Sequence, residues 1–93
     1  MPRLKAAHIN QQGQNMIIFP LDHTFGHKTD IDQSRALIEL EQRAHSAGLA
    51  GRAVAVWQNG GRTMSRGPQA WHGFLQSISM SWVQANVNKQ ISW

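Results

Sequence analysis

The sequence predicts an α+β domain: a small, largely antiparallel sheet of about three to five strands in the order β-β-α-β-β-α, with two or three helices packed on one face. Three observations lead there. Apolar side chains recur at helical spacing between Asp30 and Ala47, an Asn59-Gly60-Gly61 turn joins two extended runs, and β-rich segments open the chain. At 93 residues the chain has the size of one domain, spanning 1–93, and is too short for two independent cores.

Segment 3–10 alternates weakly, and segment 15–21 (Asn-Met-Ile-Ile-Phe-Pro-Leu) is a stronger β run. Gln11-Gln12-Gly13-Gln14 reads as the turn of a hairpin between them. Pro20 has no N–H for a ladder, so the second strand ends there or lies on an edge. Residues 20–29 are mostly polar and form a loop. Thr29 with Asp32 approximates a capping box, and Asp30 and Asp32 suit the positive end of a helix dipole. The helix runs from about Asp30 to Ala47. Ala36, Leu37, Leu40, Ala44 and Ala47 share one broad face; Asp32, Arg35, Glu39 and Gln42 lie opposite. Ile31 and Ile38 fall outside that apolar face, so they either widen the buried stripe or meet a second element. Gly48 fits the position that ends helices, with Leu49 folding back over the last turn.

Arg52–Gln58 reads as a strand that is apolar on both sides, Val54 and Val56 on one and Ala53, Ala55 and Trp57 on the other, which places it inside the sheet. The following turn implies a hairpin into Arg62–Ser65. Gly67-Pro68 opens a second helix with Pro at its first position. Trp71, Phe74, Leu75 and Ile78 then make a helical face of large residues. Ser77–Trp82 alternates like a strand, but no turn signal separates Gly73 from Asn86. The expectation is a break near Ser79, a further helical segment to about Asn86, and a short closing strand over Gln90–Trp93.

With 41% apolar and 15% charged residues the chain has enough apolar surface to fold, and disorder is excluded on composition. The absence of Cys removes disulfides, thiolate metal sites and a cysteine nucleophile. The longest strictly apolar run, Ala53–Trp57, is five residues, against about 20 for a membrane span. No secretory signal opens the chain, and a cytoplasmic protein is expected.

Charge is distributed unevenly. All five acids (Asp22, Asp30, Asp32, Glu39, Glu41) precede position 42, whereas residues 42–93 carry Arg43, Arg52, Arg62, Arg66 and Lys89 and no carboxylate. The net charge is +4, all of it owed to the second half. Such a field favours an anionic partner, or it simply keeps a small domain soluble. Asn59-Gly60-Gly61-Arg62 with Arg66, between Trp57 and Trp71, combines a hairpin tip, guanidinium forks for phosphate and indoles for stacking. Both indoles also sit in apolar patterns that fit a core.

Two other clusters carry chemistry. Asp22, His23 and His27 crowd the loop after the second strand, with His8 within reach from the first, and imidazole and carboxylate ligate zinc or another divalent ion. No second ligand pair completes a site. Gly26-His27-Lys28-Thr29 occupies the place of a phosphate loop but lacks the first Gly, and Asp30 and Asp32 repel phosphate at the same helix end. The terminal Trp93 either docks into the core or contacts a partner.

Trp82-Val83, Asn86-Val87-Asn88-Lys89 and Ile91-Ser92-Trp93, with Gly48-Leu49-Ala50-Gly51, Val54-Ala55-Val56-Trp57, Trp71 and Phe74-Leu75, resemble small uncharacterised proteins carried on bacterial integrative and conjugative elements. The resemblance covers residues 48–93. It implies a bacterial cytoplasm and an accessory role in a mobile element, and it implies no activity and no site residue.

The expected function is a non-enzymatic binding module for an acidic partner, nucleic acid preferred, acting through Arg52, Arg62, Arg66, Lys89 and Trp57. The alternative is a protein-interaction or self-associating module, a homodimer included, because four Trp are many for one small core to enclose. A metal- or His-dependent enzyme built on Asp22, His23 and His27 is the third reading. No cofactor is implied.

Overall fold

The computed structural model describes residues 3–11 and 13–92. The turn position Gln12 and the terminal Trp93 lie outside the described residues. Strands β1 (Arg3–Gln11) and β2 (Gln14–Pro20) form the expected opening hairpin, with Gln11 opposite Gln14 and Ala7 opposite Ile18. A 3-10 turn over His23–His27 leads to helix α1 (Asp30–Ser46). Strand β3 (Arg52–Asn59) pairs antiparallel with β4 (Arg62–Arg66). Helices α2 (His72–Ser77) and α3 (Met80–Ala85) follow, and β5 (Lys89–Ser92) pairs antiparallel with β1. Among the described residues this is one five-stranded sheet in the order β4-β3-β2-β1-β5.

The α+β class and the element order are those the sequence predicts. The sheet is mostly antiparallel, and its one parallel pair, β2 with β3, is joined by the α1 crossover. Local chemistry sets the helix ends. Thr29 Oγ1 accepts the Asp32 N–H at 3.2 Å, and Leu49 N–H folds back to the Ala44 carbonyl at 2.9 Å. The break near Ser79 is also present: Ser79 Oγ accepts the Trp82 N–H at 3.2 Å and starts α3.

Helices cover both faces of the sheet, not one. Successive strand residues point to opposite sides, so the buried runs Met16–Phe19 and Ala53–Val56 need cover above and below. On the α1 side Ile17, Phe19, Ala53 and Ile91 pack with Ala44, Leu37 and Leu40. On the other side Ala7, Met16, Ile18, Val54 and Val56 pack with Leu75, Ile78, Met80 and Val83 of the α2–α3 segment. A second difference concerns Pro68. It caps a 3-10 turn, Gln69–Trp71, and α2 begins only at His72.

Gly51 fixes how closely the α1–β3 connection approaches β2. Its φ is +121°, and a Cβ built there would collide with the Asn15 backbone. The same connection is tied from both sides by imidazoles: His8 Nε2 lies 2.9 Å from the Ala50 carbonyl oxygen and His45 Nε2 lies 2.7 Å from that of Gly51.

Candidate functional site

The sheet ends on two short edge strands, β4 and β5, and most of the polar and apolar surface of interest lies on the β4 side. α1 crosses the sheet with its stripe Ile31, Ser34, Ile38 and Glu41 at its margin. Ser34, Ile38 and Glu41 face the start of β3 and the end of β4 across a groove whose apolar wall is Leu37, Ala53 and Pro68. The two isoleucines that fall outside the helix's apolar stripe are exposed, Ile31 by 65% and Ile38 by 59%. Neither belongs to the buried core.

An arginine clasps each end of the groove. Arg66 Nη1 donates to Asp30 Oδ1 at 2.5 Å and to Gln33 Oε1 at 3.3 Å, and its Nη2 donates to Ser34 Oγ at 2.7 Å. Arg52 Nε donates to Glu41 Oε1 at 3.1 Å, and the same oxygen accepts the Ala53 backbone N–H at 2.8 Å. Glu41 therefore satisfies a β3 amide beyond the reach of β4, which ends opposite Ala55.

The hydrogen bond from Arg66, and then its charge, hold the exposed Asp30 carboxyl below its ordinary value of 3.8. A carboxylate whose folded pKa lies below the unfolded one adds stability above 3.8, and that contribution disappears as pH falls through the folded value. Carboxyl NMR titration is expected to find Asp30 titrating below 3.8, and Arg66→Ala is expected to return it to that value. An unchanged Asp30 titration in Arg66→Ala would break the pairing.

The basic residues singled out in the sequence do not converge. Arg52 and Arg66 share the groove, but each guanidinium is engaged by a carboxylate from the acidic first half. Arg62 stands at the hairpin tip of β4, exposed, with no carboxylate among the described residues. Lys89 lies on β5, at the far edge, four strand steps or about 19 Å from β4. Trp57 offers no stacking face: it is 6% exposed and packs edge-to-face on Phe25 at 4.9 Å, because odd-numbered β3 side chains turn under the 3-10 turn. Trp71 and Trp82 pack against the second core, half-buried.

Asp22 caps the 3-10 turn and pairs with His23 Nδ1 at 2.7 Å, and the His23 and His27 rings meet edge-to-face at 5.8 Å. His8 is engaged elsewhere, on Ala50. Among the described residues no group of three His, Asp or Glu side chains is placed to hold a metal ion. No helix among them is long and apolar enough to cross a membrane.

No family model, curated protein or solved structure matches this chain. The site therefore rests on its own geometry. Glu41, Leu37, Ile38 and Pro68 are the groove residues that the charge pattern missed; the signal was present in the two isoleucines that stood off the α1 core stripe.

Proposed function

We propose that this chain is a non-enzymatic interaction module that binds a segment of an acidic protein partner along the α1–β4 side. The exposure of Ile38 in the wall of an apolar groove, with Ile31 exposed one heptad before it on the same helix, carries this reading. Two large aliphatic side chains one heptad apart form a stripe that a partner's apolar side chain desolvates with gain. The net charge of +4 selects an acidic partner over a basic one. Nucleic acid ranks behind protein because a phosphate tract needs several unengaged cations in line, whereas Arg52 and Arg66 are paired and Lys89 is across the sheet. An accessory role in the cytoplasm of a bacterium bearing a mobile element, as the resemblance of residues 48–93 implies, suits such a module.

Fluorescence anisotropy with a labelled pool of Glu- and Val-rich peptides, against a DNA oligomer as rival probe, tests the reading at low and high salt. Peptide binding is expected, weakened about tenfold by Ile38→Ser, a loss of about 1.4 kcal/mol. Stability should hardly change, because Ile38 is a surface position. DNA binding that falls steeply with salt and ignores Ile38→Ser, with no peptide bound, overturns the reading.

A further inference from the structure

We infer that the partner segment is an extended strand that adds antiparallel to β4, with the alternating pattern acid–x–apolar–x–acid. This rests on the protein-binding reading above and names the mode and chemistry of the partner. Among the described residues β4 is an edge strand, paired on one side only. Its register makes clear which groups it offers. Gly60 and Gly61, with φ of 59° and 89°, form a two-residue turn of the I′ kind, which closes on a hydrogen-bonded pair, here Asn59 with Arg62. Hydrogen-bonded and non-hydrogen-bonded pairs then alternate along the ladder. Arg62, Met64 and Arg66 turn their backbone groups inward to β3, and Thr63 and Ser65 turn theirs outward. An added strand therefore finds the N–H and C=O of Thr63 and Ser65 free for pairing.

Side chains define the sequence it takes. Arg62, Met64 and Arg66 lie opposite Asn59, Trp57 and Ala55 and so project on the α1 face. Met64 is 37% exposed between the two arginines. Arg62 has no carboxylate among the described residues, and Arg66 keeps its Nε–H and one Nη2–H beyond the bonds to Asp30, Gln33 and Ser34. The residue opposite Met64 sits in a non-hydrogen-bonded pair, where side chains approach closest, and an aliphatic group suits it. A carboxylate opposite Arg62 completes the row as its main charge contact, and one opposite Arg66 takes only the N–H groups left beyond Asp30, Gln33 and Ser34. Open depressions flank β4 on both faces, one lined by Gly26, Gln33, Trp57 and Met64, the other by Thr63, Ser65, His72 and Gln76, so side chains of both parities find room. A second copy of the chain fits poorly, since β4 pairing with β4 about Met64 sets Arg62 against Arg66 twice. Charged residues on an edge repel such pairing.

The peptide Ser-Glu-Thr-Val-Thr-Glu-Ser tests this, titrated into the full chain by anisotropy. Its Thr residues face Ser65 and Thr63, and its Val faces Met64. N-methylation of both Thr amides is expected to weaken binding at least about tenfold, whereas N-methylation of Val, whose N–H points away from β4, changes it by less than about threefold. Arg62→Glu is expected to reduce affinity for this peptide and raise it for the version with Lys in place of Glu. Equal responses to the two methylations overturn strand addition. If the parent peptide still binds and still loses affinity in Ile38→Ser, the protein-binding reading survives. No binding of the parent peptide also overturns strand addition, and binding of the DNA oligomer alone overturns both.

Discussion

Phe19→Ala is expected to lower the unfolding free energy by about 3–5 kcal/mol and Leu75→Ala by about 2–5 kcal/mol, both read from denaturant midpoints at unchanged slope. The two side chains are buried on opposite faces of the sheet, Phe19 fully against the α1 layer and Leu75 at 2% exposure in the α2–α3 layer. A chain of 93 residues has about 5–14 kcal/mol in total, at about 0.05–0.15 kcal/mol per residue, so either change leaves it marginal. Each substitution reports on the cover of one face, Phe19 on the α1 side and Leu75 on the side where Ile18, Val54 and Val56 lie. A loss under about 1 kcal/mol for Leu75→Ala, beside a full loss for Phe19→Ala, would contradict the two-sided arrangement.

Gly51→Ala is expected to destabilise by about 3 kcal/mol or more, although it adds one methyl group. Two effects combine there. At φ of +121° an L side chain is strained, and its Cβ meets backbone atoms of Asn15, which cannot rotate aside as a side chain can. The connection from α1 into β3 would have to lift off β2 at the point where Met16 pairs with Arg52. Gly73→Ala provides the opposite control: it lies within α2 with open space around its Cβ, so the same change should stabilise by about 0.5–1 kcal/mol. Thermal or urea unfolding of the two variants checks both signs. Equal effects would mean that the close approach to Asn15 is absent.

The elements written in local chemistry were legible from the sequence. Thr29 and Asp32 mark the start of α1, Gly48 and Leu49 its end, and Asn59-Gly60-Gly61 the β3–β4 turn, because each depends on neighbours within a few positions. The cover on both faces was also present in the apolar runs Met16–Phe19 and Ala53–Val56, yet no count of helices shows which face each takes. That depends on the parallel pairing of β2 with β3 and on where the chain goes after Arg66, which are contacts between distant segments. The candidate site follows the same division. Arg66 reaches Asp30 across 36 positions and Arg52 reaches Glu41 across 11, so the charge asymmetry along the chain is largely undone in space. Trp57 reads as core or as contact in one dimension, with core the favoured reading, and the seating of the 3-10 turn over β3 decides for core.

Ile31 and Ile38 are the reverse case. Their place off the helix's apolar stripe is visible in one dimension, but the groove that Ile38 lines with Arg52, Ala53 and Pro68 is not. Helix and strand meet there through Arg66, which belongs to β4 by backbone and to α1 by its guanidinium contacts.

Amide chemical-shift mapping with the acidic Val-centred peptide places the functional surface most directly. Perturbations should concentrate on Thr63, Met64 and Ser65, extend through Arg66 to the groove that Ile38 lines, and leave Lys89 and the rest of β5 unmoved. Shifts centred on β5 and Lys89, or spread evenly over the cations of both edges, would contradict a binding surface on the α1–β4 side.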